Sequence, residues 1–425
     1  MKKFKTIIFL GISVFGLAQR PAPAPAQKNP IAITNATIHT GTGNVLQNAS
    51  IVFENGKITQ INGAIPSNAE IINAQNKHVY PGFILVNNTL GLVEIEATRA
   101  TDDTQEANDI TPEVRSLISF NTDSHVIPTV RTNGVLLTQP VLKSGTISCT
   151  SSIMNLDGWN WEDAVEEKDN ALHMSWPTIS TRFFDEKREA ERKEMRIKKL
   201  EEIKNLFTRA KAYQKSTIKD YKLEAIKPVF DKTKLFVEVS SANEALEVIK
   251  FAQDLELKNI VLIGNVVLVP VLDEIKKSNI TLIITRVKSL PINNSMSPRL
   301  PYQFAKMVAD KGILYGLDYS GDHEYQDSRN LPFLAGTTAA YGVEKEKALQ
   351  SISYNLAKIL GIENRFGSLE VGKSATLFIS DGDALDQLTN QITEAYIDGR
   401  KINLHNQQKE LYNRYKTNTV LNKNY

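Results

Sequence analysis

The chain of 425 residues is 41% apolar and 23% charged, with 50 Lys and Arg against 48 Asp and Glu. That is too apolar for a disordered chain, and its length accommodates two or three domains of ~100–200 residues. The near balance of charge leaves no basic excess to hold a phosphate backbone, which argues against nucleic acid as a partner. The single cysteine, Cys149, excludes an intramolecular disulfide and any cysteine-rich zinc site.

The first residues read as an export signal. Lys2, Lys3 and Lys5 form a basic start, and Thr6 to Ala18 is a mostly apolar stretch short of the ~20 residues that span a bilayer. Gly16-Leu17-Ala18 puts small residues at −3 and −1 of a cut before Gln19. Losing residues 1–18, with their three lysines, takes the net charge from +2 to −1. The expected destination is the periplasm or the exterior, with no membrane attachment once the signal is cut. Residues 19–30 follow as a Pro/Ala spacer, Arg20-Pro-Ala-Pro-Ala-Pro-Ala-Gln27 at its heart.

From Ile31 to Tyr80 hydrophobicity alternates with period two, and Asn55-Gly56 between two such runs is a type I′ hairpin signal. A small antiparallel sheet is expected. From Pro81 to Phe366 short apolar runs alternate with helical patterns. Leu235-Phe-Val-Glu-Val, Asn259-Ile-Val-Leu-Ile, Ile280-Thr-Leu-Ile-Ile and Ile313-Leu-Tyr-Gly-Leu are the strands, with helices from Ala242, near Leu272 and around Phe304 between them. This rhythm predicts parallel strands in an α/β, TIM-like (β/α)8 barrel. A charged helical insertion spans about 183–230, with Leu200, Ile203, Leu206 or Phe207, Ala210 and Tyr213 along one face. From Gly367 to about 402 the period returns to two, so both chain ends are expected to build one composite β domain. Residues 403–425 read as a polar tail.

Ala36-Thr-Ile-His-Thr-Gly41, Asn55-Gly-Lys-Ile58 and Lys77-His-Val-Tyr-Pro-Gly-Phe-Ile84 resemble the opening of the amidohydrolase superfamily, in particular its imidazolonepropionase-like members. Asn330-Leu-Pro-Phe333 with Ala335-Gly-Thr-Thr-Ala-Ala-Tyr-Gly342 is similar to their last barrel segment. Asn355 to Gly361, Gly367 to Lys373 and Ile397 to Arg400 resemble their closing helix and sheet. The ordered set, from about residue 31 to 402, implies a metal-dependent barrel that hydrolyses amide or cyclic amide C–N bonds, with zinc or another divalent ion as cofactor. A small amide-like molecule is the implied partner; another is a second copy or a related barrel.

The metal motif departs from that pattern. Such enzymes end their first barrel strand in Asp-x-His-x-His, where two histidines two apart on a strand face the same metal. Here the three positions are Leu85, Asn87 and Thr89, and neither amide nor hydroxyl oxygen rivals imidazole as a zinc ligand. Of six histidines only His125, His173 and His323 fall in the barrel region. Glu238 stands where a ligand histidine is expected, and Asn265 near the next. The aspartate that would take a proton from metal-bound water has two registers. Asp318 ends a strand directly, whereas alignment through Asn330-Leu-Pro puts Ser320 at that position, close to Asp322. The candidate base is therefore Asp318 or Asp322, and the candidate metal ligands are Glu238 and His323, with Glu324 in the same acidic run. An exposed loop is the competing reading of that run. Cys149 reads as a core residue and His125 as a surface one. The tryptophans of Asn155-Leu-Asp-Gly-Trp-Asn-Trp161 shield the barrel end or line its mouth. Three functions follow: an exported hydrolase with a rebuilt metal site, a barrel that serves as a binding module or as the partner of an active relative, or a metal-independent hydrolase that uses carboxylates alone.

Overall fold

The computed structural model describes residues 23–178, 186–214, 217, 219–321 and 323–416. The export signal, Asp322 and the end of the tail lie outside the described residues. No described helix is long and apolar enough to cross a membrane.

The first sheet begins with β1 (Ile31–His39), β2 (Val45–Glu54), β3 (Lys57–Ile61), β4 (Glu70–Asn73) and β5 (His78–Pro81). β1, β2 and β3 form an antiparallel meander, and Asn55 and Gly56 turn β2 into β3 with φ of 52° and 77°, as an Asn-Gly hairpin requires. The sheet is mixed rather than antiparallel, because β4 and β5 both run parallel to β1. Alternation sets which face a strand buries but carries no information about strand direction, so period two could not have revealed this.

Eight further strands make the barrel sheet: β6 (Phe83–Asn88), β7 (Val135–Pro140), β8 (Ile147–Asn155), β9 (Val165–Ser175), β10 (Lys234–Glu238), β11 (Ile260–Gly264), β12 (Thr281–Ile284) and β13 (Tyr315–Leu317). They follow one another in spatial order from β6 to β13. All but one are parallel, as the strand–helix rhythm predicts. The exception is β8, antiparallel to both β7 and β9. The stretch 141–146 between β7 and β8 is too short for the ~12-residue crossover a parallel pair needs, so the chain turns back on itself. The last strands, β14 (Leu377–Ser380), β15 (Ile392–Ile397) and β16 (Arg400–Lys401), join the first sheet through β14–β5 pairing.

Outside the barrel, the helix Ala242–Leu255 shows how local sequence builds the shell. Ser241 caps it by accepting from the Glu244 amide, and Ala245, Val248, Ile249, Ala252 and Leu255 form its buried face. The charged stretch is one helix, Glu186–Ala212, anchored by the buried Ile203, Phe207 and Ala210. Phe207 meets Phe251 edge-on at 5.2 Å between ring centroids. Exposed i,i+4 pairs such as Glu189–Lys193 and Glu194–Lys198 dress the solvent side.

β6 and β13 do not pair directly. The segment between them supplies the missing backbone: the Leu317 amide donates to Ser351 O and the Ile84 amide to Ile352 O, each at 2.9 Å. Further along, side chains at the ends of these strands take over the seam, and there the site begins.

Candidate active site at the barrel mouth

β6 is buried at every residue. Leu85, at the family's aspartate position, has no solvent exposure and belongs to the apolar core. The pairing of β6 with β7 shifts register between Leu85 and Asn88, and Asn87 sits there with φ of 52°, a conformation asparagine tolerates better than most residues. The bulge aims the Asn87 amide across the seam, where Nδ2 donates to Asp318 Oδ2 at 2.9 Å. Asn88 Nδ2 makes the companion bonds, to Tyr319 O at 3.0 Å and Glu324 O at 3.3 Å. Thr89, at the second histidine position, is buried and lines the mouth.

Asp318 directly follows β13 and has no solvent exposure. One of its oxygens receives the Asn87 amide; the other, Oδ1, has no hydrogen-bond partner among the described residues. Burial pushes its carboxyl up to about 7, and the carboxylates of Glu324 and Glu238 act in the same direction. The Asn87 hydrogen bond and the Lys143 ammonium oppose that rise.

Lys143, on the turn between β7 and β8, reaches into the same space. Its Nζ donates to Asn87 O at 2.8 Å and Asn87 Oδ1 at 3.0 Å, and stands 3.7 Å from Glu324 Oε1. Glu324 opens the short helix Glu324–Asp327 and is largely buried, so its carboxyl is raised as well. Glu238 closes β10, where the strand delivers it to the same mouth.

Two cavities meet at these residues. The outer cleft, of about 1160 Å³, is lined by Asn87, Thr89, Lys143, Glu238, Asn265 and Glu324, among others. An inner chamber of about 140 Å³ shares Asn87, Lys143 and Glu238 and adds His173. His173, on β9, is bound through Nε2 to the Ser151 hydroxyl at 2.8 Å and stacks on Phe236. Burial depresses it to about 3, so the ring is neutral, and its Nδ1 lacks a partner among the described residues.

The remaining candidates lie apart from this centre. His323 lines the outer cleft but is exposed, and its Nδ1 is 2.8 Å from Glu96 Oε2. Asn265 uses its side chain to cap its own turn at Val267. Ser320 is engaged with the Thr285 hydroxyl. Cys149 is buried, its thiol pushed up to about 11, which makes it inert. His125 is exposed.

The metal implied by the resemblance does not fit these donors. Among the described residues no three His, Cys, Asp or Glu side chains converge as a ligand set. The imidazole positions carry Asn87 and Thr89, Asp318 Oδ2 is taken by an amide, and an ammonium stands among the carboxylates.

A family model described as the amidohydrolase family matches residues 162–404, more than half of the chain. The chain belongs to the amidohydrolase family. Among solved structures, an amidohydrolase from Thermotoga maritima MSB8 has 23% identity and a TM-score of 0.77, covering 88% of this chain and 99% of its own. A molinate hydrolase is 14% identical with a TM-score of 0.51, covering 89% of this chain and 95% of its own. Phenylurea hydrolase B has the same identity and TM-score, covering 88% and 97%. These likenesses establish the barrel fold. No curated protein matches the chain.

For this amidohydrolase-family member, sequence reasoning had singled out Asp318 and Glu238 but missed Lys143. A lysine three residues past the end of β7, at the face where barrel strands deliver functional groups, was the available signal.

Proposed function

We propose that this chain is a hydrolase of non-peptide C–N bonds, acting on a small amide or cyclic amide in the outer cleft, with a rebuilt polar centre and Asp318 as general base. Family membership supports the reaction class, and the molinate and phenylurea hydrolases of the same fold are named for cleaving small molecules.

One observation carries the reading. Asp318 sits at the C-terminal end of the last barrel strand with one oxygen fixed by Asn87 and the other without a partner among the described residues. Its carboxyl, raised to about 7, is poised to accept a proton near neutral pH. Asp318 lines neither cavity, so a water reaches Oδ1 only when the Asn87 side chain swings aside; there it would lose its proton to Asp318 as its oxygen adds to the substrate carbonyl. The same proton would then pass to the departing nitrogen as the C–N bond breaks. The basic, apolar N-terminus with its cleavage pattern before Gln19 supports export of the protein to the periplasm or the exterior.

The test is a screen of small amides, imides and cyclic amides with the purified chain. Asp318→Asn should lower turnover of any substrate found by ~10²–10⁴-fold. Unchanged turnover would remove Asp318 from the chemistry. A second reading, a barrel that binds such molecules without cleaving them, is favoured by the Asn87 amide occupying Asp318 Oδ2. Binding without turnover across the screen would establish it.

A further inference from the structure

Among the described residues the carboxylates of this mouth form no metal ligand set, yet they are not without a cation. We propose that Lys143 is the resident cation of the site, carrying on a side chain the positive charge that the family places there as a metal ion, and offering one N–H to the carbonyl or carboxylate oxygen of a ligand.

Position is the first ground. Lys143 Nζ grips the main-chain and side-chain oxygens of Asn87, the residue standing where the family's first histidine would be. Charge is the second. Glu324 Oε1 is 3.7 Å away, and Asp318 and Glu238 share the same surroundings. Glu324 is largely and Asp318 wholly shielded from solvent, whereas Lys143 reaches them from the open side of the cleft, so these carboxylates depend on that nearby positive charge. Valence is the third. An ammonium has three donors, and two are used on Asn87. Glu324 is at ion-pair rather than hydrogen-bond distance, which leaves the third N–H for a ligand. Lys143 borders both the outer cleft and the inner chamber, so this donor lies at the throat between them.

The inference concerns the charge of the site and stands whether or not the chain hydrolyses anything. Its test therefore reads metal content and stability rather than turnover. The full chain is purified without chelator, its metals are counted by elemental mass spectrometry, and its melting is followed with and without Mn²⁺ or Zn²⁺. No stoichiometric metal and no stabilisation are expected; about one ion per chain, lost in Glu238→Gln, overturns the proposal. A double-mutant cycle then joins Lys143→Met and Glu324→Gln. Lys143→Met should lower the folding equilibrium constant ~10–100-fold, and Glu324→Gln in that background should recover about tenfold. Strictly additive effects overturn the proposal. Should Lys143→Met fail to fold, the double variant must fold; if both fail, Lys143 is not a charge compensator and the proposal falls.

Discussion

Replacing Asp318 with asparagine should stabilise the protein, and only above a definite pH. The carboxyl is fully buried and its pKa rises from 3.8 to about 7 on folding. An acid raised in this way favours the folded state while it is protonated. That contribution is complete below about pH 4, where the unfolded chain also holds the proton, and is lost progressively as pH climbs toward 7. A rise from 3.8 to about 7 corresponds to ~4 kcal/mol at most, and ~2–4 kcal/mol is a fair expectation for a site coupled to Lys143 and Glu324. Asparagine keeps the acceptor for the Asn87 amide and has no charge to bury. Asp318→Asn should therefore match the wild type near pH 4 and exceed it by ~2–4 kcal/mol at pH 8, with the gap opening between pH 4 and 7 and level above. Urea unfolding followed by tryptophan fluorescence, on both proteins across that range, measures it. Other buried acids, Asp157, Glu166 and Glu324, are also raised, so the difference between the two proteins is the informative quantity. A difference independent of pH, or of opposite sign at pH 8, would refute the argument from burial.

Three other outcomes are expected in the same assays. Phe207→Ala should cost ~3–4 kcal/mol, read as a lower urea midpoint, because it empties the aromatic contact that holds the inserted helix against Phe251. Asp157→Ala should cost ~3–5 kcal/mol, since it strips the partner from the buried Arg131 at 2.8 Å and from Arg400 at 3.1 Å. It should also free the backbone at Ala24, whose amide donates to Asp157 at 2.8 Å, and faster proteolysis there is the readout.

The barrel was legible because its strands and helices differ in period, and the order of elements from Leu235 to Leu317 follows the sequence reading closely. The turned-back β8 was not, since Ile147-Ser-Cys-Thr-Ser alternates like any strand and only the short loop before it sets its direction. The mixed pairing of β1 with β4 and β5 escaped for the same reason. At the site, Asp318, Asn87 and Glu238 could be reached through spacing and family likeness. Lys143 could not be tied to them, because its partners Asn87 and Glu324 lie far away along the chain and meet it only when β6, β7 and β13 close. Likewise Glu324 reads as part of an exposed acidic loop, and becomes a buried group only because the helix it begins packs onto the mouth.

The two asparagines at the end of β6 act as a latch on this barrel. They fasten the edge where the sheet meets itself, Asn87 to Asp318 and Asn88 to the backbone at Tyr319 and Glu324. Asn87→His alone would give up the amide bond to Asp318 and loosen that edge. Any substitution series meant to install an ion at this mouth therefore begins with a loss of stability at the seam of the sheet.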